Sequence, residues 1–407
     1  MKKITIALHW QILIAIILGA IFGFFFTAQT PYVDWLGTIF MRALKMIVVP
    51  LVFCSVTGGV ANISAQDDFL RLGGKTVGYY LLTCIIAIFT GLLFVNLIKP
   101  GEGLAIALPE TVTSLATEQV TIREFLINLI PDNIFQALSS TNMIGIIIFA
   151  ILFGVFLGKS SHSSAKSVQN AIESIGDVIL NLTMFILKLA PLGIFGLIAN
   201  VIATNASTSE QLRLMMESQG LYLMTVLLGI LFHLFITLSL LLFFVGKINP
   251  FKHLSRMKDV LLMAFSTASS NGTLPLTISH VKTRCGVSEK IANFTLPLGA
   301  TVNMNGTSLY EVVAVLFIAQ AYGIELTIAQ QLFVAFAALL VGIGAAGIPM
   351  ASLVMTVVII QLVGLPAESI GLILLVDRFA DMARTALNVY DDTVCTVLVA
   401  KTENRIF

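Results

Sequence analysis

Apolar residues gather along this chain into long runs divided by short polar breaks. Six runs fall at 7–28, 38–63, 76–98, 144–158, 174–203 and 219–246. Most reach the ~20 residues that an α-helix needs to cross a hydrocarbon layer, and they are too long and continuous for strands. The stretch 100–143 departs from this pattern. Glu102, Glu110, Glu118, Arg123, Glu124 and Asp132 make it polar, as expected of an extramembrane loop with short helical pieces.

Past residue 255 the pattern changes. Asp259 to Ala268 is a short, mostly apolar arm, followed by Ser269-Ser270-Asn271-Gly272-Thr273, Leu274-Pro275 and a second short arm. Leu326 to Leu365 repeats the shape, with Gly342–Gly347 and Pro349 at its centre. Neither arm of the first pair reaches the ~20 residues of a span, as in re-entrant segments. A polar span follows each hairpin. The first, 289–322, carries Asn303-Met304-Asn305-Gly306-Thr307, and the second, 369–400, carries Asp377, Arg378, Asp381, Arg384, Asn388, Asp391 and Asp392. A hairpin and a polar span, twice over, is the pattern of an internal transporter repeat with discontinuous helices around a midplane site.

Composition sharpens the picture. Of 407 residues, 57% are hydrophobic and 11% charged, against about a quarter charged in soluble domains. The chain reads as an all-α, multi-pass membrane protein. Its net charge of +1 gives no electrostatic reason to expect a nucleic-acid partner. Cys54, Cys84, Cys285 and Cys395 form no C-x-x-C pair and imply neither a disulfide nor a zinc framework. The first apolar run lacks a small-residue cleavage site and reads as a retained span. Lys2 and Lys3 share a side with Arg71 and Lys75, which places the N-terminus in the cytoplasm by the positive-inside bias. Lys401 and Arg405 place the C-terminus there too.

The run Gly342–Gly347 matches G-x-G-x-x-G. A dinucleotide fingerprint needs a strand before it, a helix after it and an acidic residue ~20 positions on. Here an apolar arm precedes the motif, Pro349 interrupts the helix that should come after it, and the next acidic residue is Glu368. Two other uses remain, close helix packing through small residues and a hairpin tip. A tip would free backbone carbonyls for an ion and amides for a carboxylate.

Asp381, Arg384, Thr385, Asn388 and Asp392 are spaced i, i+3, i+4, i+7 and i+11, along one helical face. A charged stripe in an apolar span marks a functional site, unless Asp377 or Asp381 merely pairs with Arg378 or Arg384 to pack helices. In the functional case Asp381 accepts an ammonium. Arg384 offers a planar fork for a carboxylate, and Asn388 and Asp392 supply hard oxygens for a small cation. The histidines carry less. His9 and His253 read as interfacial, His162 as a turn residue, and His233 as a hydrogen-bonded packing residue rather than a proton relay. No H-E-x-x-H, phosphate loop or nucleophile elbow appears, and Ser269-Ser270 has no fixed base, so the chain does not read as an enzyme. A channel would not need a site complementary to a zwitterion.

Four segments together carry a resemblance. They are F-S-T-A-S-S-N-G-T-L-P (265–275), T-L-P-L-G-A-T-V-N-M-N-G-T-S-L-Y-E (295–311), G-I-G-A-A-G-I-P (342–349) and D-M-A-R-T-A-L-N-V-Y-D-D-T (381–393). Upstream, Leu44-Lys45-Met46 with Pro50, Tyr79–Thr83 and Ala190–Gly193 fit the same pattern. The chain resembles the glutamate transporter family, the dicarboxylate/amino acid:cation symporters, in its bacterial proton/sodium-coupled form. The resemblance implies eight transmembrane helices, two re-entrant hairpins, inverted repeats and a homotrimer in the inner membrane. It also implies a scaffold (1–75 and 99–205) and a transport domain (76–98 and 206–407) that moves as an elevator. The implied substrate is glutamate or aspartate, with C4-dicarboxylates, cystine and neutral amino acids as alternatives. No cofactor is implied beyond sodium or proton.

Roles follow from the same resemblance. Ser269 and Ser270, Thr307 and backbone near Ile348 would hold substrate carboxylate, Asp381 the amino group and Arg384 the side-chain carboxylate, with Thr385 and Asn388 in contact. Gly299, Asn303, Asn388 and Asp392 would form one sodium site. Carbonyls of Thr301, Gly342, Ile343 and Ala345 would form a second, with Met304 linking ion and substrate. This sequence also departs from the family. Asn305 stands where many relatives carry Asp, and Cys84 replaces a hydroxyl beside Tyr80 and Thr83, so a third sodium site is expected to be degraded or absent. Ala268 replaces an Arg found in some relatives, a charge that Arg378 is expected to supply. Glu311, one residue after Tyr310, is the expected proton carrier, because an ionised carboxylate in an apolar span costs desolvation that a proton removes. The competing expectation is a static pair with Arg384 or Arg378.

Overall fold

The computed structural model describes residues 8–64, 69–104, 106, 127, 130–140, 142–162, 164–206, 208–344 and 351–403. Lys2, Lys3, Glu110, Glu118, Arg123, Glu124, Ala345, Ile348, Pro349 and Arg405 lie outside these residues. Among the described residues the regular elements are helical. The first eight α-helices are α1 (Leu8–Phe25), α2 (Asp34–Ser64), α3 (Gly74–Ile98), α4 (Ile134–Ser140), α5 (Met143–Lys159), α6 (Ala165–Lys188), α7 (Ala190–Asn205) and α8 (Ser209–Phe232). Two π-helical segments, His233–Leu238 and Leu241–Val245, extend α8. Then come the pair α9 (Pro250–Thr267) and α10 (Ser270–Cys285), the broken helix α11 (Glu289–Val302) and α12 (Asn305–Ala321), the pair α13 (Ile328–Gly344) and α14 (Ala351–Leu362), and α15 (Leu374–Thr402).

Among the described residues, five stretches are long and apolar enough to cross a membrane: Asp34–Ala61, Arg71–Ile98, Ala165–Lys188, Ser209–Val245 and Glu289–Ala321. Phe25, Leu97, Phe156, Phe185 and Phe244 stand exposed on helix exteriors, where a water-facing helix would carry charge. The run 174–203 is not one helix. It breaks at Leu189, between Lys188 and Ala190, because Pro191 lacks an N–H and fits only the first turn of a new helix. The first hairpin arm is also longer than its apolar part. Asn249 accepts a hydrogen bond from the Lys252 N–H at 3.1 Å and Pro250 opens the turn, so α9 starts nine positions before Asp259. At 18 and 16 residues, α9 and α10 still fall short of a full span.

Packing divides the helices into two groups. α2 lies against α5, α6 and α7, and α1 lies along α7. A Cβ on Gly19 or Gly23 would strike the backbone at Phe195 or Ala199, so small residues let α1 and α7 approach closely. The other group surrounds α12 and α15, both buried along nearly their whole length. α3, α8 and the two helical pairs pack around them.

Glu403, just past α15, accepts from Arg71 Nη2 at 2.6 Å and Lys75 Nζ at 2.5 Å, which ties the end of the chain to the start of α3. Hydrogen bonds from Arg71 and then Lys75 hold its carboxyl below the ordinary 4.5. A depressed folded value gives a contribution that is full above the unfolded value and lost as pH falls through the folded one. Glu403→Gln should therefore lower the unfolding temperature slightly at neutral pH and leave it unchanged in acid. Thermal unfolding of both proteins in detergent across that pH range checks this; equal stability at neutral pH would show that the tie is dispensable.

Candidate functional site

The site is built where α15 passes the break between α11 and α12. Asn303 and Met304 leave helical geometry there, at φ −100° and −103°. Asn side chains compete for backbone groups and favour such interruptions. The break exposes the first N–H groups of α12, which have no partner within that helix. One of them, on Gly306, donates to Asn388 Oδ1 at 2.7 Å. Asn388 Nδ2 in turn donates to Thr307 Oγ1 at 3.2 Å and meets Met304 Sδ at 3.3 Å. Three residues singled out from sequence, Met304, Thr307 and Asn388, thus meet around the break.

One helical turn back along α15 lies the fully buried Arg384. Its Nε and Nη2 donate to Asp381 Oδ1 at 3.2 and 2.9 Å, and its Nη1 donates to Asp377 Oδ1 at 3.4 Å. The guanidinium carbon sits 4.1 Å from the centroid of the Tyr310 ring, and Tyr310 OH donates to Asp377 Oδ1 at 2.5 Å. Arg378 Nη1 donates to Asp381 Oδ2 at 3.2 Å. Two arginines and two aspartates cancel, so the self-paired network weighed from sequence is present. Arg378, expected to supply the charge missing at Ala268, is tied to Asp381 instead. Glu311 is fully buried, and neither of its carboxyl oxygens has a hydrogen-bond partner among the described residues. The bonds of Arg384 go to the two aspartates, so the expected static pair is not formed.

On the other side of the break lie Asp391 and Asp392. Asn303 Nδ2 donates to Asp391 Oδ2 and to Asp392 Oδ1, both at 2.9 Å. Thr83 Oγ1 of α3 donates to Asp391 Oδ2 at 3.0 Å. Asn305 Nδ2 donates to Thr83 Oγ1 at 2.8 Å and also contacts Asp391 Oδ2. Gly299 faces Asp392 and Tyr80, and a Cβ there would overlap the Asp392 carboxylate. Asn305, where many relatives carry Asp, meets a carboxylate from α15, that of Asp391. Sequence reasoning left Asp391 out of the site, along with Asp377 and Tyr310. Asp391 lies off the stripe headed by Asp381, and its adjacency to Asp392 was the available signal.

The remaining residues are placed less centrally. Ser269 caps α10, its Oγ accepting from the Gly272 N–H at 3.0 Å, and Ser270 is buried behind it. Thr385 Oγ1 donates back to Asp381 O at 2.7 Å, and Thr301 Oγ1 to Leu298 O at 3.0 Å. Gly342 and Ile343 lie in the last turn of α13, whose carbonyls have no onward N–H within the helix. Ser308 Oγ donates to Ala338 O at 3.2 Å, joining α12 to α13. Ala345 and Ile348 fall outside the described residues. Two histidine expectations change. His253 is buried, with Nε2 3.0 Å from Thr393 Oγ1, because α15 covers it. Neither ring nitrogen of His233 has a hydrogen-bond partner among the described residues. No group of three or more His, Cys, Asp or Glu among those residues could hold a metal ion.

The profile of the sodium:dicarboxylate symporter family matches residues 8–402. The chain belongs to this family. The sodium:dicarboxylate symporter family is one of membrane transporters, and similar proteins span the whole chain. The proton/sodium-glutamate symport protein of Bacillus caldotenax is 33% identical over 419 residues, covering 100% of this chain and 96% of the relative. The proton/glutamate-aspartate symporter of Escherichia coli (strain K12) is 32% identical over 426 residues, covering 100% and 95%. The C4-dicarboxylate transport protein of Laribacter hongkongensis (strain HLHK9) is 32% identical over 414 residues, covering 100% and 91%.

The contact that holds this family member's site together is testable. A Cβ on Gly306 would lie 2.6 Å from the Arg384 carbonyl oxygen, so Gly306→Ala must push α12 away from α15. Overpacking of this kind costs about 1–3 kcal/mol. Gly78, with nothing within 4 Å of its Cβ position, is the control, and Gly78→Ala should be near neutral. Unfolding temperatures compare the two; equal values would show that the close approach at Gly306 is not needed.

Proposed function

We propose that this protein is a secondary active symporter that imports glutamate or aspartate together with sodium, protons or both. The observation that carries this reading is the buried pair of Arg384 and Asp381 beside a broken helix, in a chain of the sodium:dicarboxylate symporter family. An acidic amino acid presents one ammonium and two carboxylates. The ammonium replaces Arg384 at Asp381, and the side-chain carboxylate takes the guanidinium fork in exchange. Every charge keeps a partner, and the cost of desolvating the pair has already been met in folding. Ser270, Thr307 and backbone near Ile348 hold the remaining carboxylate, with Thr385, Asn388 and Met304 alongside. The bound substrate adds negative charge, which cations balance at Asp392, Asn303, Asn388 and the Gly299 carbonyl, and at carbonyls of Thr301, Gly342, Ile343 and Ala345.

In this reading α1, α2, α3, α5, α6–α7, α8, α11–α12 and α15 are the eight spans, and α9–α10 and α13–α14 are the re-entrant pairs. The packing of α5, α6 and α7 with α2, and of α1 with α7, supports a scaffold, and the packing of α3 with α8 and α12 supports a transport domain that slides along it. Exposed Ile175, Val178 and Phe185 on α6 suit a trimer contact or lipid. Both termini lie in the cytoplasm and the protein in the inner membrane. A second reading, transport of C4-dicarboxylates such as succinate, is favoured by one observation: Asp381 is held by two arginines, and a substrate without an ammonium would leave it so. Uptake of labelled aspartate, glutamate and succinate by purified protein in liposomes, under imposed sodium or proton gradients, decides between them. Uptake that never exceeds the outside concentration would point to a channel.

Two variants probe the named roles. Arg384→Cys should abolish uptake of aspartate and glutamate while keeping binding of small neutral amino acids. Loss of the charged contact costs roughly 2–5 kcal/mol. Unaltered glutamate affinity would remove Arg384 from the site. Glu311→Gln should keep substrate exchange but lose proton-driven accumulation, and its substrate affinity should be flat with pH where that of the wild type rises on acidification. Normal accumulation by Glu311→Gln, with wild-type uptake indifferent to a pH gradient, would rule out the proton role.

A further inference from the structure

The whole chain has a net charge of +1, yet residues 247–290 hold seven Lys or Arg against two acidic residues. The rest of the chain is therefore net acidic, and the excess of cations sits in one stretch. The fold keeps that stretch together. α9 and α10 pack against each other as a pair, so the start of α9 lies beside the end of α10. Across this base Arg284 Nη1 donates to Arg256 O at 3.2 Å. Both acidic residues are already engaged, Asp259 by Arg284 at 2.8 Å and Glu289 by Lys282 at 2.6 Å. No salt bridge among the described residues involves Lys247, Lys252, Arg256 or Lys258. The three lysines are exposed and Arg256 is half-buried.

A second observation points to what these cations meet. Phe243, Phe244 and Phe251 are 59%, 68% and 73% exposed. The first two end the π-helical extension of α8, and Phe251 opens α9. Between them the chain turns tightly. The Gly246 N–H donates to Leu241 O at 3.2 Å and the Ile248 N–H to Leu242 O at 3.0 Å, with Lys247 held at φ +52°. Exposed rings thus flank Lys247 and Lys252 on both sides of one turn. Aromatic rings favour the boundary between hydrocarbon and headgroups, and lysine stems reach from apolar surroundings to charge at that boundary. A soluble polyanion would satisfy the lysines and leave the rings in water. A lipid surface satisfies both.

We propose that the base of the α9–α10 pair, with the end of α8, is a docking surface for anionic phospholipid. Lys247, Lys252, Arg256 and Lys258 meet the headgroup phosphates, and Phe243, Phe244 and Phe251 enter the layer just beneath. Anionic lipid concentrates in the cytoplasmic leaflet, and the placement of this end on that side rests on the proposed function. α9 and α10 pack around α12 and α15. Bound anionic lipid therefore holds the moving half of the protein to the membrane surface, not only its frame.

The test uses full-length protein in detergent, without any amino acid, mixed with dioleoylphosphatidylcholine and rising fractions of dioleoylphosphatidylglycerol. The readout is the phosphatidylglycerol retained per protein after washing, measured by mass spectrometry. The wild type should retain phosphatidylglycerol over phosphatidylcholine, and added salt should weaken the preference. Lys247→Gln/Lys252→Gln/Lys258→Gln removes three charges and should raise the half-saturating phosphatidylglycerol fraction at least about tenfold. Lys247→Arg/Lys252→Arg/Lys258→Arg keeps the charge and should behave as wild type. Phe251→Ser should weaken retention in the same direction as the Gln variant. Equal retention by the Gln variant and the wild type overturns the proposal, as does an Arg variant that loses as much as the Gln variant. Loss of heparin binding in the Gln variant with unchanged phosphatidylglycerol retention would assign the patch to a soluble polyanion and overturn it too. If the triple Gln variant does not fold, Lys247→Gln and Lys258→Gln carry the test singly, and no loss in either overturns it. A normal lipid pattern with no uptake of acidic amino acids would defeat the proposed substrate and leave the lipid surface standing.

Discussion

The structure depends on one constraint, that charge buried away from water must be balanced where it stands. Arg384 sits among Asp377, Asp381 and the Tyr310 ring, and Arg378 completes a neutral set. Asp391 and Asp392 sit further along the same helix with only neutral donors. A single α-helix thus carries one layer that is balanced from within and one that is not. The first can exchange its partners for a substrate of matching charges. The second has no balancing base among the described residues. A carrier needs both properties, because substrate affinity that depends on an ion requires an ion site whose occupancy changes the substrate site.

The broken helix is what lets the two layers communicate. Asn303 touches both aspartates of the cation layer, Met304 and Thr307 touch Asn388, and Gly306 rests against the Arg384 backbone. With Asn305, which contacts Asp391, the five consecutive positions 303–307 reach from one layer to the other. A continuous helix would have spent these backbone groups on its own ladder. The break converts them into contacts with α15.

Much of this was legible in the sequence. Paired short arms around Ser269 and Gly342, the Asn-Met-Asn-Gly interruption and the stripe from Asp381 to Asp392 all stand out because polar residues in an apolar span are costly. The misses have equally physical causes. Pro191 hid the break at Leu189, since proline in a first turn leaves an apolar run looking continuous. The apolar arm was read from Asp259, although Asn249 and Pro250 start its helix nine positions earlier. Asp391 lies off the stripe, and only the placement of Thr83 and Asn305 shows what it faces. His253 has charged neighbours in sequence and is nonetheless covered by α15.

The hydrogen bond from Thr83 to Asp391 joins positions 308 residues apart. At 5–20 residues per second, a ribosome needs roughly 15–60 s to make the chain between them. The hydroxyl of Thr83 also lies 3.0 and 3.2 Å from the carbonyl oxygens of Tyr79 and Tyr80, partners within α3 that are made long before Asp391. Those local bonds keep the helix insertable before its partner exists. Birth order thus asks of Thr83 what Asp could not give, a polar group that can be silent in lipid and later serve a carboxylate.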